Sequence, residues 1–377
     1  MRLTEQQCRD RAAFRSFVAK EITPHADQWD EIQELPPALV AGLAAQGYLG
    51  ALVPTRYGGT GMDAVTFGLL NEAIGYGCSS TRSLLTVHAM VTHAIARWGN
   101  EAQREALLPG LATGDLVGAF ALTEPGAGSD AGAVLTNADL VPGGYRLTGT
   151  KRWITYGQRA DLFVVFARCA GGLTAFVLDR DSDGLDIQPI TGMLGTRASM
   201  LAELRLRDCT VPGGRLLGRV GFGLAAVAAS ALDVGRYSVA WGCVGLLAAC
   251  LDVSLRHADE RVQFGRAVRE HQLVQRMLAN MATSLEAARL LCHHAGCLKD
   301  LGDPTTVTAT WTAKYFASCA AFRSAADTVQ ILGATGCGAG HPAQRLLRDA
   351  KIMEIIEGST QLQQTYLAQA AYQAYRL

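Results

Sequence analysis

Neither sign of charge is in surplus in this sequence. Lys and Arg number 34, Asp and Glu number 34, and only 18% of the residues are charged. A dedicated nucleic-acid binder needs a cationic excess to neutralise phosphates, so this balance argues against that class. A disordered chain combines low hydrophobicity with high net charge; 49% hydrophobic residues and zero net charge exclude it. No run of about 18 uncharged apolar residues occurs, so no membrane span is expected. The N-terminal MRLTEQQCRDRAAFRSF has no apolar signal core, and the expected location is cytoplasmic. The ten cysteines contain no CxxC pair and read as reduced thiols. Cys292, His293, His294 and Cys297 share a helical pattern in which adjacent ligands point to different faces, so no metal is expected.

What is present falls into three zones. With 377 residues, and domains of roughly 150, two or three units are expected. Residues 1–117 repeat apolar side chains at helical spacing. Phe14, Val18 and Ile22 follow a cap at Thr4; Pro36-Pro37 opens a helix that Gly47 closes; Asp63 caps the segment holding Phe67, Leu70 and Ile74. Residues 118–220 switch to short β-rich runs at 118–122, 145–148, 162–167, 174–178, 185–190 and 201–206, separated by turns such as Pro142-Gly143-Gly144. Six strands at this spacing predict an antiparallel barrel or sandwich. Residues 221–377 return to helical spacing, over 223–259, 270–300, 304–333, 343–356 and 359–374, and predict a helical bundle.

Four segments carry candidate chemistry. Ala121 to Asp130 (ALTEPGAGSD) leaves a strand for a glycine-rich turn, where backbone N–H groups can approach a ligand and hydroxyls can donate. Its glycines lack GxGxxG spacing and no βαβ unit follows, so a dinucleotide fold fails; an ordinary loop is the competing reading. Gly149 to Thr155 (GTKRWIT) sets Trp153 beside Thr155, able to cover an aromatic ring and hydrogen-bond to it, or simply to sit half-buried on a strand. Arg261 to Gly265 (RVQFG), with His271-Gln272, could hold a phosphate or mark a break between helices. Gln330 to Gly336 (QILGATG) precedes Ile355-Ile356-Glu357-Gly358-Ser359-Thr360-Gln361. An apolar setting would raise the pKa of Glu357, whereas a helix dipole from a cap at Ser359 would lower it. The sequence leaves both open, along with an ordinary surface carboxylate.

Taken together, the four segments resemble the acyl-CoA dehydrogenase family of FAD-dependent enzymes over essentially the whole chain. The resemblance implies an α+β, mostly α fold: an N-terminal helical domain (1–117), a middle antiparallel β-domain (118–220) and a C-terminal four-helix bundle (221–377). It implies that Phe120, Leu122, Thr123, Gly128 and Ser129 line the flavin on one side and Trp153, Ile154 and Thr155 on the other. It implies that Arg261, Val262, Gln263, Phe264, His271, Gln272 and the run Gln330, Ile331, Leu332, Gly333 and Ala334 hold the pyrophosphate and adenosine of a neighbouring subunit's FAD, in a homotetramer or at least a homodimer. Ser359, Thr360 and Gln361 add FAD contacts. Ser129, Asp233, Arg236 and Gly358 fall on the substrate side. Glu357 matches the family's catalytic base, which takes the α-proton of an acyl thioester while a β-hydride leaves to the flavin. The alternative family position for a base is Gly235 here, which has no side chain. Ile356, Ala334 and Tyr156 depart from the usual family residues. Ser83 and Thr86 lie on the helix whose counterpart lines the acyl cavity, with core packing as the competing reading.

Three functions are compatible with these residues. The first is dehydrogenation of an acyl thioester carried by CoA or an acyl carrier protein, with an electron-transfer flavoprotein as acceptor. The second is an oxidase, a monooxygenase or a specialised biosynthetic flavoenzyme on the same scaffold. The third is a non-enzymatic binding module. Glu357 and the neutral charge favour the first.

Overall fold

In the computed structural model, which describes residues 2–374, the helical zones begin at their caps. Helix α1 (Glu5–Glu21) starts in a capping box: Thr4 Oγ1 accepts from the Gln7 N–H and the Gln7 side chain returns to the Thr4 N–H. Helices α2 (Ala26–Ile32) and α3 (Pro37–Ala45) follow, the latter with Pro37 at its first position. Asp63 caps α4 (Ala64–Gly77), accepting from the Thr66 N–H at 2.6 Å. Helices α5 (Ser79–Trp98) and α6 (Glu101–Thr113) complete this part.

The middle region holds β1 (Gly118–Ala121), β2 (Asn137–Val141), β3 (Gly144–Ile154), β4 (Leu162–Cys169), β5 (Gly172–Asp179), β6 (Leu185–Pro189), β7 (Ala202–Pro212) and β8 (Leu216–Leu217). They form one sheet in the order β6-β7-β3-β2-β4-β5-β8, with β1 added beside β4. Most pairs are antiparallel, as expected. The exception is β1, which runs parallel to β4, Phe120 opposite Val164, and β2 also makes one parallel bridge to β4. A parallel pair needs a long crossover, and β2, β3 and their loops provide it. Strand β2 is not among the runs expected from sequence. Asn and Asp weaken its strand signal, and only Ala138 is buried.

A helical segment at Gly223–Ala228 leads into α7 (Ala229–Glu260). After a short hairpin, β9 (Val262–Gln263) and β10 (Arg266–Ala267), come α8 (Gln272–Asp300), α9 (Thr306–Leu332), α10 (Ala334–Cys337), α11 (Pro342–Met353) and α12 (Thr360–Ala374). Gly223–Glu260 is long and apolar enough to cross a membrane, but most of it is buried inside the fold, as expected of a core helix. Helices α7, α8 and α9 pack on one another, and α11 and α12 close against α9. A Cβ at Gly75 of α4 would lie 2.5 Å from the Gly242 carbonyl of α7, so these helices meet backbone to backbone. This contact fuses the first and last helical regions into one core and fixes α5 beside the start of α7.

Candidate active site

The loop after β1 is anchored from below by a buried ion pair. Lys151 of β3 is fully buried; its Nζ donates to Glu124 Oε1 at 2.7 Å and to the Leu122 carbonyl at 3.2 Å. Glu124 also accepts from the Leu135 N–H, the Thr136 N–H and the Thr136 hydroxyl. Burial acts to raise the Glu124 pKa, but bonds from Lys151, Thr136 and the Leu135 N–H bring it below the usual value. For Lys151 burial outweighs the pairing and lowers its pKa to about 8. This link is not expected from the sequence. Their 27-residue separation gives no pairing signal until β3 returns beneath the loop.

At the end of β3 the register with β7 shifts between Lys151 and Ile154. Trp153 takes a left-handed backbone (φ 62°) at this bulge. A bulge re-aims a side chain, and the Trp153 ring stands 44% exposed with the Arg152 guanidinium 4.7 Å from its centroid.

These pieces surround a cavity of about 800 Å³ between the β region, α5, the start of α7 and the segment before α12. Its walls bring together Phe120, Leu122, Thr123, Gly128, Ser129, Trp153, Ile154, Thr155, Arg236, Glu357, Gly358 and Ser359 from the expected set, with Ser83 and Thr86. Arg82, Met90, Met193, Ser199 and Leu224 also line it and were not singled out from sequence.

Glu357 lies between α11 and α12. It takes a left-handed backbone (φ 54°), and Gly358 follows at φ 90°. A left-handed non-glycine residue costs roughly 1–3 kcal/mol and persists where its surroundings impose it. Here three donors do so. Arg236 Nε donates to the Glu357 carbonyl at 3.3 Å, while Lys314 Nζ and Gln363 Nε2 donate to the Gly358 carbonyl at 2.8 and 2.9 Å. The Arg236 guanidinium rests on Trp311, 4.3 Å from the ring centroid. Glu357 Oε2 is buried and has no hydrogen-bond partner among the described residues. Burial raises its pKa, opposed by the charges of Arg236, Lys314 and Arg82. The net direction is upward, with burial the largest cause. The carboxylate is seated against Gly235: a Cβ there would run into Glu357 Oε2 and come within 2.9 Å of Met90 Sδ. The missing side chain at Gly235 is thus what makes room for Glu357.

Other expected site residues lie elsewhere. Asp233 is not among the cavity walls; its carboxylate pairs with Lys299 of α8. Ile331 and Leu332 are buried in a cluster with Met281 and Ala343. Gln330, Gly333 and Ala334 are exposed. Arg261, Val262, Gln263, Phe264 and Gln272 are exposed at the β9–β10 hairpin, and His271 Nε2 is bonded to the Gln263 carbonyl at 3.2 Å. None of these lines the cavity. Thr360 is buried with its hydroxyl on the Glu354 carbonyl, Gln361 is exposed, and Ser359 Oγ accepts from the Leu362 N–H at the start of α12. No cluster of metal-ligating side chains occurs among the described residues.

A β region clasped between two helical layers, with one buried carboxylate facing an aromatic and hydroxyl-bearing wall, is the architecture of a flavin-dependent oxidoreductase acting on CH–CH groups. Comparison with known proteins agrees. Models of the N-terminal, middle and C-terminal domains of acyl-CoA dehydrogenase match residues 4–115, 119–209 and 222–372. An acyl-CoA dehydrogenase of Bacillus subtilis is 38% identical over 374 residues, covering 98% of each chain. The butyryl-CoA dehydrogenase structure from Megasphaera elsdenii superposes with a TM-score of 0.95 at 32% identity, covering 98% of this chain and 99% of that one. The prolyl acyl carrier protein oxidase AnaB superposes with a TM-score of 0.93 at 28% identity, covering 98% and 100%. The chain belongs to the acyl-CoA dehydrogenase family.

FAD is the cofactor of this family, and the cavity fits its ring. The hydroxyls of Thr123, Ser129 and Thr155 make no hydrogen bond among the described residues, and buried Ser199 Oγ is likewise unpartnered. Unpaired hydroxyls beside an open indole face suit a flat heterocycle with polar edges.

Proposed function

We propose that this enzyme oxidises the α,β carbon–carbon bond of an acyl thioester to the 2-enoyl thioester. Glu357 takes the α-proton. FAD supplies the acceptor for the β-hydride at N5, so proton and hydride account for both hydrogens lost. The observation that carries this reading is the placement of Glu357: its carboxylate lines the same cavity as Trp153, Thr123 and Thr155, with Oε2 buried and free of any hydrogen bond among the described residues. A carboxylate removed from water is a stronger base than a hydrated one. Arg236, Lys314 and Gln363 hold its backbone in place, which keeps proton transfer within short reach.

We assign Phe120, Leu122, Thr123, Gly128, Ser129, Trp153, Ile154, Thr155 and Ser359 to the flavin ring. The exposed hairpin with Arg261, Gln263, His271 and Gln272, and the exposed Gln330, Gly333 and Ala334, we assign to a neighbouring subunit's cofactor in a homo-oligomer, since they lie outside this chain's own cavity. The electron acceptor is an electron-transfer flavoprotein, as the family resemblance implies. Thioesters deuterated at C2 or at C3 test the reaction. Either label should slow anaerobic flavin bleaching several-fold. Rates unchanged from the unlabelled thioester with either label, under conditions where bleaching itself limits, would remove the proton–hydride assignment.

The similarity to AnaB supports a second reading, in which an acyl carrier protein presents the acyl group and oxygen accepts the electrons. Stoichiometric hydrogen peroxide in air, with turnover of carrier-linked but not CoA-linked thioesters, would select it.

A further inference from the structure

Arg82 of α5 is 1% exposed, yet it lines the cavity. Its guanidinium meets only neutral acceptors. Nη1 donates to Thr86 Oγ1 at 2.8 Å, and Nη2 donates to Ser83 Oγ at 3.0 Å and reaches Met353 Sδ at 3.2 Å. Both hydroxyls can serve as acceptors because their own protons go to helix carbonyls, Ser83 to Ser79 and Thr86 to Arg82. Arg82 Nε is buried without a partner among the described residues. No carboxylate among the described residues lies within ion-pair distance. Buried charges are ordinarily paired, and a guanidinium cannot escape by losing its proton. Glu357 and Asp349 act on it only at longer range; Asp349 is held by the Thr196 N–H at 2.6 Å and faces Arg345 at 3.8 Å.

The fold makes deliberate room for this cation. A Cβ at Gly242 of α7 would lie 2.6 Å from Arg82 Cδ and 2.9 Å from Nε, so the side chain lies against bare α7 backbone. The charged residues lining the cavity are Arg82, Arg236 and Glu357, which leaves one positive charge in excess. A cavity built for a saturated hydrocarbon tail would gain nothing from this arrangement and would carry the desolvation cost of the charge.

Resting on the thioester reading above, we propose that the acyl group oxidised by this enzyme ends in a carboxylate, and that Arg82, framed by Ser83 and Thr86, is the residue that binds it. The substrate class is the monothioester of a short dicarboxylic acid. The carboxylate supplies the missing negative charge and pairs with the guanidinium, whose planar fork lysine cannot reproduce.

The test is anaerobic flavin bleaching by the holoenzyme with monothioesters of four- and five-carbon dicarboxylic acids, their methyl-ester-capped forms, and the matching unsubstituted acyl thioesters, each presented on CoA and on a carrier protein. The wild-type enzyme should favour the free acid over its methyl ester by at least about tenfold in kcat/KM, as charge-assisted bonds to a carboxylate allow. Arg82→Met should collapse that ratio to near one, and Arg82→Lys should restore part of it. Faster turnover of neutral or merely hydroxylated acyl groups would overturn the proposal while leaving the thioester reading intact, and the wild-type panel shows this without any variant. An unchanged ratio in Arg82→Met, with a shifted pH profile, would overturn it too and assign Arg82 to the electrostatics of Glu357. Bleaching by no thioester at all would remove the parent reading, and this one with it.

Discussion

A carboxylate that serves as a base must be ionised and yet poorly solvated, and Glu357 meets both demands through its neighbours. Burial raises its pKa, while Arg236, Lys314 and Arg82 keep the rise in check. The active form is the ionised one. Turnover should therefore fall as pH drops through a value above the ordinary carboxylate range, and a kcat/KM profile in pH measures that limb. Stability follows the same shift. The folded chain holds the Glu357 proton to higher pH than the unfolded chain does. The residue thus destabilises the fold progressively as pH rises through that window, and has no effect well below the unfolded pKa. Glu357→Gln should melt above wild type at pH 8, with the two melting curves converging in acid. Gly235→Ala tests the seat of the base. Its Cβ would displace the carboxylate and crowd Met90 Sδ. Overpacking of this kind costs roughly 1–3 kcal/mol of stability. Displacing a reacting group by about 1 Å costs on the order of 100-fold in rate. The variant should keep its FAD, lose at least tenfold in flavin bleaching and melt only modestly lower.

Among the elements, β3 does the most to shape the site. Lys151 ties it to the loop after β1, and the bulge two residues later turns Trp153 toward the cavity. Lys151→Met would leave Glu124 buried without its cation, a loss worth about 3–5 kcal/mol when one partner of a buried pair is removed. Thermal melting should show a drop of several degrees, together with weaker FAD retention as the loop loosens. Much of the element order could be read from sequence because its signals are local. The Thr4 and Asp63 caps and the Pro37 helix start sit where the residues alone put them. The parallel β1–β4 pair, the polar strand β2 and the bulge at Trp153 could not be read so, because each depends on which distant strand lies alongside. The same holds for the site. The cavity collects Phe120, Trp153, Thr155 and Glu357 as the motifs suggested, whereas the isolation of Arg82 depends on three helices meeting around it. One signal was available: α5 contains no acidic residue to pair with Arg82.

Across the whole molecule, one stretch of the C-terminal helical region exposes large apolar side chains. Val262 and Phe264 at the hairpin are 55% and 94% exposed, Phe264 with a left-handed backbone, and Leu255 and Leu273 are also exposed nearby in sequence. Under the proposed assembly this stretch and the adjacent Arg261 meet a second copy of the chain. Arg261→Ala should weaken FAD retention with little change in melting of the apoprotein. Phe264→Asp should lower the oligomeric state in sedimentation and release FAD at the same protein concentration. Retention of FAD by a dissociated Phe264→Asp monomer would contradict the shared site.

The central claim is that Glu357 removes the proton, and anaerobic mixing of an acyl thioester with the Glu357→Gln holoenzyme tests it most directly. The amide keeps the shape and the backbone contacts but cannot act as the base. The variant should be yellow and FAD-loaded, and its flavin should bleach about 1,000-fold more slowly than that of the wild type, at the scale of lost general-base catalysis. Bleaching at a rate close to wild type would contradict the claim and place the base elsewhere.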